Sequence, residues 1–136
     1  VNKLSVLIAV KPVSLSRVIE HLLRQVHGIE VLGRVEDAKL LPELAGRLAP
    51  DIVVANFSLL GREPGELVAG VKSSSPFTRL ILISRVEGLA SSARRSGADA
   101  HLPEEALVKR LLPVLERLGR RFETVRSGAP RPAARA

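Results

Sequence analysis

The sequence contains no cysteine. Disulfides, thiol catalysis and thiolate metal sites are therefore excluded, and the chain fits a reducing cytoplasm. Aromatic residues make up only 2%, so any core must be aliphatic. Phe122 is the one aromatic in the basic C-terminal stretch, which leaves base stacking on a nucleic acid almost nothing to work with. No run approaches the ~20 apolar residues of a membrane span. The apolar stretch 4–10 is too short for a secretory leader and stops at Lys11.

What is present is a chain of 136 residues, 46% of them hydrophobic, enough for one domain and a tail. Leu, Val, Ile and Ala dominate, as expected where helices cover both faces of a parallel sheet. The net charge is +7. Arg117, Arg120, Arg121, Arg126, Arg131 and Arg135, set against Glu123, give the end of the chain +5 and leave only +2 for the body. The basic character thus belongs to the tail and not to a folded DNA-reading surface. From 119 onward the chain is rich in Arg, Pro, Ala and Gly, a composition that buries too little apolar surface to order itself. The expected division is a domain over 1–118 and a basic, disordered tail over 119–136.

Residues 4–10 read as a buried strand. Ser14 or Ser16 caps a helix to about 26, with Val18, Ile19, Leu22, Leu23 and Val26 on one face, and His27 and Gly28 stop it. A strand over 29–35 leads to a helix over 39–48, where Pro42 is tolerable only in the first turn. Residues 51–57 form the clearest central strand. A helix over 66–73, a strand over 79–84, a short polar helix over 89–96 and a short strand over 100–102 follow. A last helix over 104–118 presents Leu107, Leu111, Leu115 and Leu118 on one face, with Pro113 kinking it or delaying its start. Strands alternating with crossover helices require a parallel sheet and right-handed connections. The expected fold is α/β: a doubly wound, five-stranded sheet of flavodoxin-like order in a three-layer (βα)5 sandwich. Functional sites in such folds lie at the carboxyl ends of the strands. Here those ends carry Val10 and Lys11, Asn56 and Phe57, Ser84 and Arg85, and the turn 102–104.

The segments VLIA (6–9), GIEVLGRVEDA (28–38), APDIVVANFSLLG (49–61), SPFTRLILIS (75–84) and SGADAHLPEE (96–105) carry, by their order and spacing, a resemblance to the CheY-like receiver domains of bacterial two-component response regulators. The likeness is greatest to receivers joined to helix-turn-helix outputs, and it covers roughly 4–118. It implies a fixed constellation. Two acids after the first strand and an aspartate ending the third hold Mg²⁺, and that aspartate accepts a phosphoryl group. A Ser or Thr ends the fourth strand, an aromatic sits on the fifth, and a lysine follows it. Hard oxygen ligands suit Mg²⁺, and the metal and lysine neutralise the transferring group.

Mapped onto this chain, the acid pair falls on Val10 and Lys11, the acceptor on Asn56 and the lysine on Glu104. The switch aromatic falls on His101, and the hydroxyl position alone matches, as Ser84. The segment between Ser84 and Gly97 is also about two residues shorter than the usual pattern. The resemblance thus implies a degenerate receiver. A neutral amide neither attacks phosphorus nor forms a stable acyl phosphate, and without acids at 10 and 11 little holds a metal. Asp51 stands ~16 Å back along the strand, at its wrong end; Asp37 and Asp99 lie on loops. With a cation at 11 and an acid at 104, the expectation is an ion pair across the vacated pocket between Lys11 and Glu104.

Other candidates have plainer readings. His21 is a surface residue, His27 suits the negative end of a helix, and His101 fills space beside the last strand; three scattered histidines make no metal site. The run 65–73 is a near miss to a phosphate-binding loop, with an extra Val before Lys72, and Leu67, Val68 and Val71 fit a helix face instead. Ser84 as a nucleophile needs a base and an orienting third group; His101 is on the neighbouring strand, but no third group is indicated. No catalytic residue, cofactor or metal is assigned, and no enzyme activity is expected. The expected function is a cytoplasmic signalling adaptor. It docks a protein partner or forms a homodimer through the face of the 89–96 helix, the fifth strand and the last helix. The alternatives are a receiver that still takes phosphoryl groups through a rearranged site, a nucleic-acid-associated regulator using the basic tail, and a small-molecule sensor at the strand ends.

Overall fold

The computed structural model describes residues 3–61, 63–85 and 95–126. Five strands, β1 (Leu4–Ala9), β2 (Ile29–Arg34), β3 (Ile52–Asn56), β4 (Arg79–Ser84) and β5 (Ala100–Pro103), form one sheet in the order β2-β1-β3-β4-β5. Every pairing is parallel. The helices are α1 (Val13–Arg24), α2 (Leu41–Leu48), the single turn α3 (Phe57–Leu60), α4 (Pro64–Ser74) and α5 (Leu107–Arg126). This is the expected doubly wound order.

Side-chain alternation along each strand divides the core in two. Val6, Ile8, Ile52, Val54, Ile81, Ile83 and Leu102 meet Ile19, Leu23, Leu111 and Leu115 of α1 and α5. Leu7, Ala9, Val53, Ala55, Leu80 and Leu82 meet Leu41, Ala45, Val68 and Val71 of α2 and α4. Strand β3 is buried throughout because both of its faces are covered. Two glycines let α2 and α4 approach closely. A Cβ on Gly46 would lie 3.2 Å from Ser74 Cβ, and one on Gly70 would lie 3.2 Å from Pro42 Cγ. Pro42 itself sits in the first turn of α2, as required.

The lower edge of the sheet is held by polar side chains. Ser5 N–H donates to Asp51 Oδ2 at 2.8 Å, and Asp51 N–H donates to Ser5 Oγ at 2.9 Å. Asp51 precedes β3, at the end opposite Asn56, as the spacing predicts. Lys72 of α4 reaches Asp99 and the Thr78 carbonyl, while Leu80 N–H donates to Asp99 Oδ2 at 2.7 Å. Residues 65–73 are therefore helical, with their lysine committed to Asp99, and form no phosphate-binding loop.

Several local expectations are corrected. Pro12 is the N-cap of α1 and no side chain caps it, so Ser14 and Ser16 lie within the first turn. The Pro12 carbonyl accepts from Leu15 N–H and Ser16 N–H instead. Val18 is 48% exposed, because the buried stripe is set by Ile19 and Leu23. Helix α1 ends at Arg24, so His27 stands beyond its last turn. Helix α5 starts at Leu107, after a 3-10 turn over Glu104–Ala106, and runs past Pro113 to Arg126. Pro113 is exposed, so the carbonyl it leaves without an N–H partner can turn to water. Residues 119–126, expected in the disordered tail, are thus helical. Their Arg and Glu are good helix formers, and Gly119 packs where a Cβ would touch Leu4 at 3.4 Å. The helix expected over 89–96 falls almost wholly outside the described residues, as does 127–136. Among the described residues no helix is long and apolar enough to cross a membrane.

Candidate functional site

At the carboxyl end of the sheet, β1 leads into Val10 and β3 closes on Asn56. Val10 is fully inside the core shared with α1 and α5. The position where the resemblance expects an acid is thus taken up by packing. Lys11 is exposed as a residue, but its main chain is not free. Its N–H donates to Asn56 Oδ1 at 3.2 Å, and its carbonyl accepts from Asn56 Nδ2 at 2.6 Å. Leu59 N–H adds a second donor to Oδ1 at 3.1 Å, making Asn56 the N-cap of α3. Asn56 is 3% exposed. Two N–H donors on one side and a carbonyl on the other fix which way the amide points.

Ser84, 2% exposed, ends β4. Its Oγ lies 2.7 Å from His101 Nε2. The register explains the meeting: Leu82 pairs with His101 and Ser84 with Pro103, so Ser84 and His101 project on the same side of the sheet, diagonally opposed. The same register corrects the expected ion pair. Arg85 follows Ser84, and Glu104 follows Pro103, which brings Arg85 Nε within 3.9 Å of Glu104 Oε1. Lys11 follows β1, two strands from β4 in the sheet order. The cation paired with Glu104 among the described residues is therefore Arg85, not Lys11. With Arg85 77% and Glu104 35% exposed, the pair contributes only ~0–1 kcal/mol.

The two other aspartates weighed for a metal site, Asp37 and Asp99, have partners of their own. Asp37 Oδ1 accepts from Lys39 N–H and caps the 3-10 turn over Ala38–Leu40. Asp99 lies at the start of β5, against Lys72 and Arg79, at the far end of the sheet from Asn56. A divalent cation wants several hard oxygens. Positions 10, 11 and 56 offer an aliphatic side chain, a cation and an amide oxygen already holding two N–H groups, so these residues do not fit Mg²⁺. Among the described residues no group of three or more His, Asp or Glu could hold a metal ion. Above the site, Pro12, Ser14, Leu15, Val18, Arg85 and Glu104 line a hollow of about 410 Å³ that is open to solvent.

The structure thus joins Asn56 to Lys11 through the main chain, Ser84 to His101, and Glu104 to Arg85, and it sends Val10 into the core. Sequence reasoning missed two partners. The Lys11 main chain carries no side-chain signal at all. Arg85 was visible as a strand-end residue, and the β4–β5 register would have paired it with Glu104.

No family model matches the chain, and no curated protein matches it. Solved structures do. The signal receiver domain of the response regulator NarL from Mycobacterium tuberculosis is 21% identical, with 85% of this chain and 98% of that chain covered and a TM-score of 0.71. The response regulator domain of Thermotoga maritima CheB is 19% identical, with 86% and 96% covered and a TM-score of 0.74. A two-component response regulator of the LuxR family from Aurantimonas sp. SI85-9A1 is 18% identical, with 86% and 85% covered and a TM-score of 0.76. The fold is that of response-regulator receiver domains.

Proposed function

Proceeding from that fold, we propose that this chain is a receiver-like module of two-component or phosphorelay signalling that acts through protein–protein contact and takes no phosphoryl group. One observation carries the reading: Asn56, at the acceptor position, has its amide tied to Lys11 and Leu59, and Val10 beside it is core. Neither residue supplies a nucleophile or a metal ligand. The neighbours of this fold are named as response regulators, which supports a signalling role. The module spans the sheet and its helices, the last of which runs on to Arg126; the basic segment beyond that helix is a tail. The partner is a protein of the same cytoplasmic pathway, or a second copy of the chain.

The test is chemical. The purified chain is incubated with acetyl phosphate and Mg²⁺, and its intact mass is followed. The unmodified mass is expected at all times. A phosphoryl adduct, at Asn56's neighbours or anywhere on the carboxyl-end loops, would overturn the reading in favour of a rearranged acceptor.

A further inference from the structure

The β1–β3 ladder stops at the pairing of Ala9 with Ala55. Two residues beyond, Lys11 has an N–H and a carbonyl with no strand opposite them, and the side-chain amide of Asn56 meets both, at 3.2 and 2.6 Å. The carboxamide therefore stands in for a peptide group and adds one more rung, across 45 residues of sequence. Its oxygen also takes Leu59 N–H. Three segments converge on this one buried side chain: the end of β3, the turn α3, and the bend at Lys11 and Pro12 from which α1 starts. We infer that Asn56 is a structural clamp in its own right, an amide put to use as a donor, and not merely an acceptor that has lost its charge.

The clamp fixes the loop beneath Pro12 and the first turn of α1. That loop forms one wall of the open hollow. The bend at Lys11 and Pro12 is consequently tied to the end of β3 without any ion or phosphoryl group. The inference concerns the same pocket as the proposed function but does not depend on it. Phosphorylation of the native chain elsewhere would sink that function and leave the clamp standing.

The two views of Asn56 predict opposite signs for Asn56→Asp. If residue 56 is only a cap for α3, aspartate serves as well as asparagine, and its charge is favoured by the helix N-terminus. Stability then stays the same or rises. If residue 56 is a clamp, the carboxylate has no hydrogen to give, and one of its oxygens faces the Lys11 carbonyl across the gap that the amide now bridges. The folded-to-unfolded ratio at neutral pH then falls by roughly tenfold or more.

Amide hydrogen exchange reads the clamp residue by residue. In the native chain the Lys11 amide should exchange at least about a hundredfold more slowly than in an unstructured peptide, although the residue is exposed. In the Asn56→Asp chain the retained oxygen can still accept, but repulsion between the second carboxylate oxygen and the Lys11 carbonyl pushes that bend away. Lys11 should therefore lose most of its protection, while Leu59, three residues along the same turn, keeps it. Unprotected exchange of Lys11 in the native chain overturns the inference, and so does an Asn56→Asp chain as stable as the native one. If the substituted chain does not fold, the native exchange rate of Lys11 alone decides.

Discussion

Replacing Ser84 by alanine tests the second polar link at the carboxyl end. The hydroxyl lies 2.7 Å from His101 Nε2 and is buried, while the histidine ring is only half-buried. A net hydrogen bond of this kind is worth about 0.5–1.5 kcal/mol, and the full penalty for an orphaned polar atom, about 1–3 kcal/mol, applies only where water cannot reach it. Because His101 is half-buried, the freed nitrogen can find water. The expected loss is therefore near the lower figure, about 1 kcal/mol. Alanine leaves no unpaired group of its own in β4, so no further cost is added. The assay is urea unfolding of the native chain, Ser84→Ala, His101→Phe and the double variant, which isolates the coupling between the two side chains. A coupling of about 1 kcal/mol is expected. A coupling within about 0.3 kcal/mol of zero, or a Ser84→Ala chain more stable than the native one, would refute the link between strand ends.

Other substitutions probe the frame that holds the site. Asp51→Ala removes the acceptor of Ser5 N–H at the buried lower edge and should cost about 1–3 kcal/mol in chemical denaturation. Gly70→Ala gains up to about 1 kcal/mol of helix propensity, but its Cβ meets the rigid Pro42 ring at 3.2 Å. Overpacking of about 1–3 kcal/mol outweighs the gain, and the thermal midpoint should fall. Arg85→Ala should change stability by less than about 1 kcal/mol, since the pair with Glu104 is largely exposed. A drop beyond about 2 kcal/mol would show that Glu104 depends on this arginine far more than the geometry implies.

The sheet was legible because its strands are short aliphatic runs. The DIVVANF stretch reads as central because nothing polar interrupts it before Asn56, and the structure buries all of β3. The placement of the candidate residues was legible in the same way: residues at the ends of buried strands are named by the strands themselves, so Val10, Lys11, Asn56, Ser84 and Glu104 could all be singled out. What was not legible depends on register and on main-chain partners. Glu104 met Arg85 because Ser84 pairs with Pro103, a detail that one-dimensional pattern does not hold. Asn56 met the backbone of Lys11, whose peptide groups look alike in every sequence. The end of the last helix was misread for a different reason. Arg and Glu after residue 119 read equally as a solvated tail or as helix formers, and the contact of Gly119 with Leu4 shows that the helix still lies against the body there.

The most direct measurement follows the backbone amide spectrum of the chain during titration with Mg²⁺ and beryllofluoride. With aliphatic, cationic and committed amide groups at positions 10, 11 and 56, no saturable shift is expected at Asn56, Ser84 or the loop around Lys11. A saturating change centred on those residues would mean that the pocket still gathers a metal ion and a phosphoryl-like group, contrary to everything its side chains suggest.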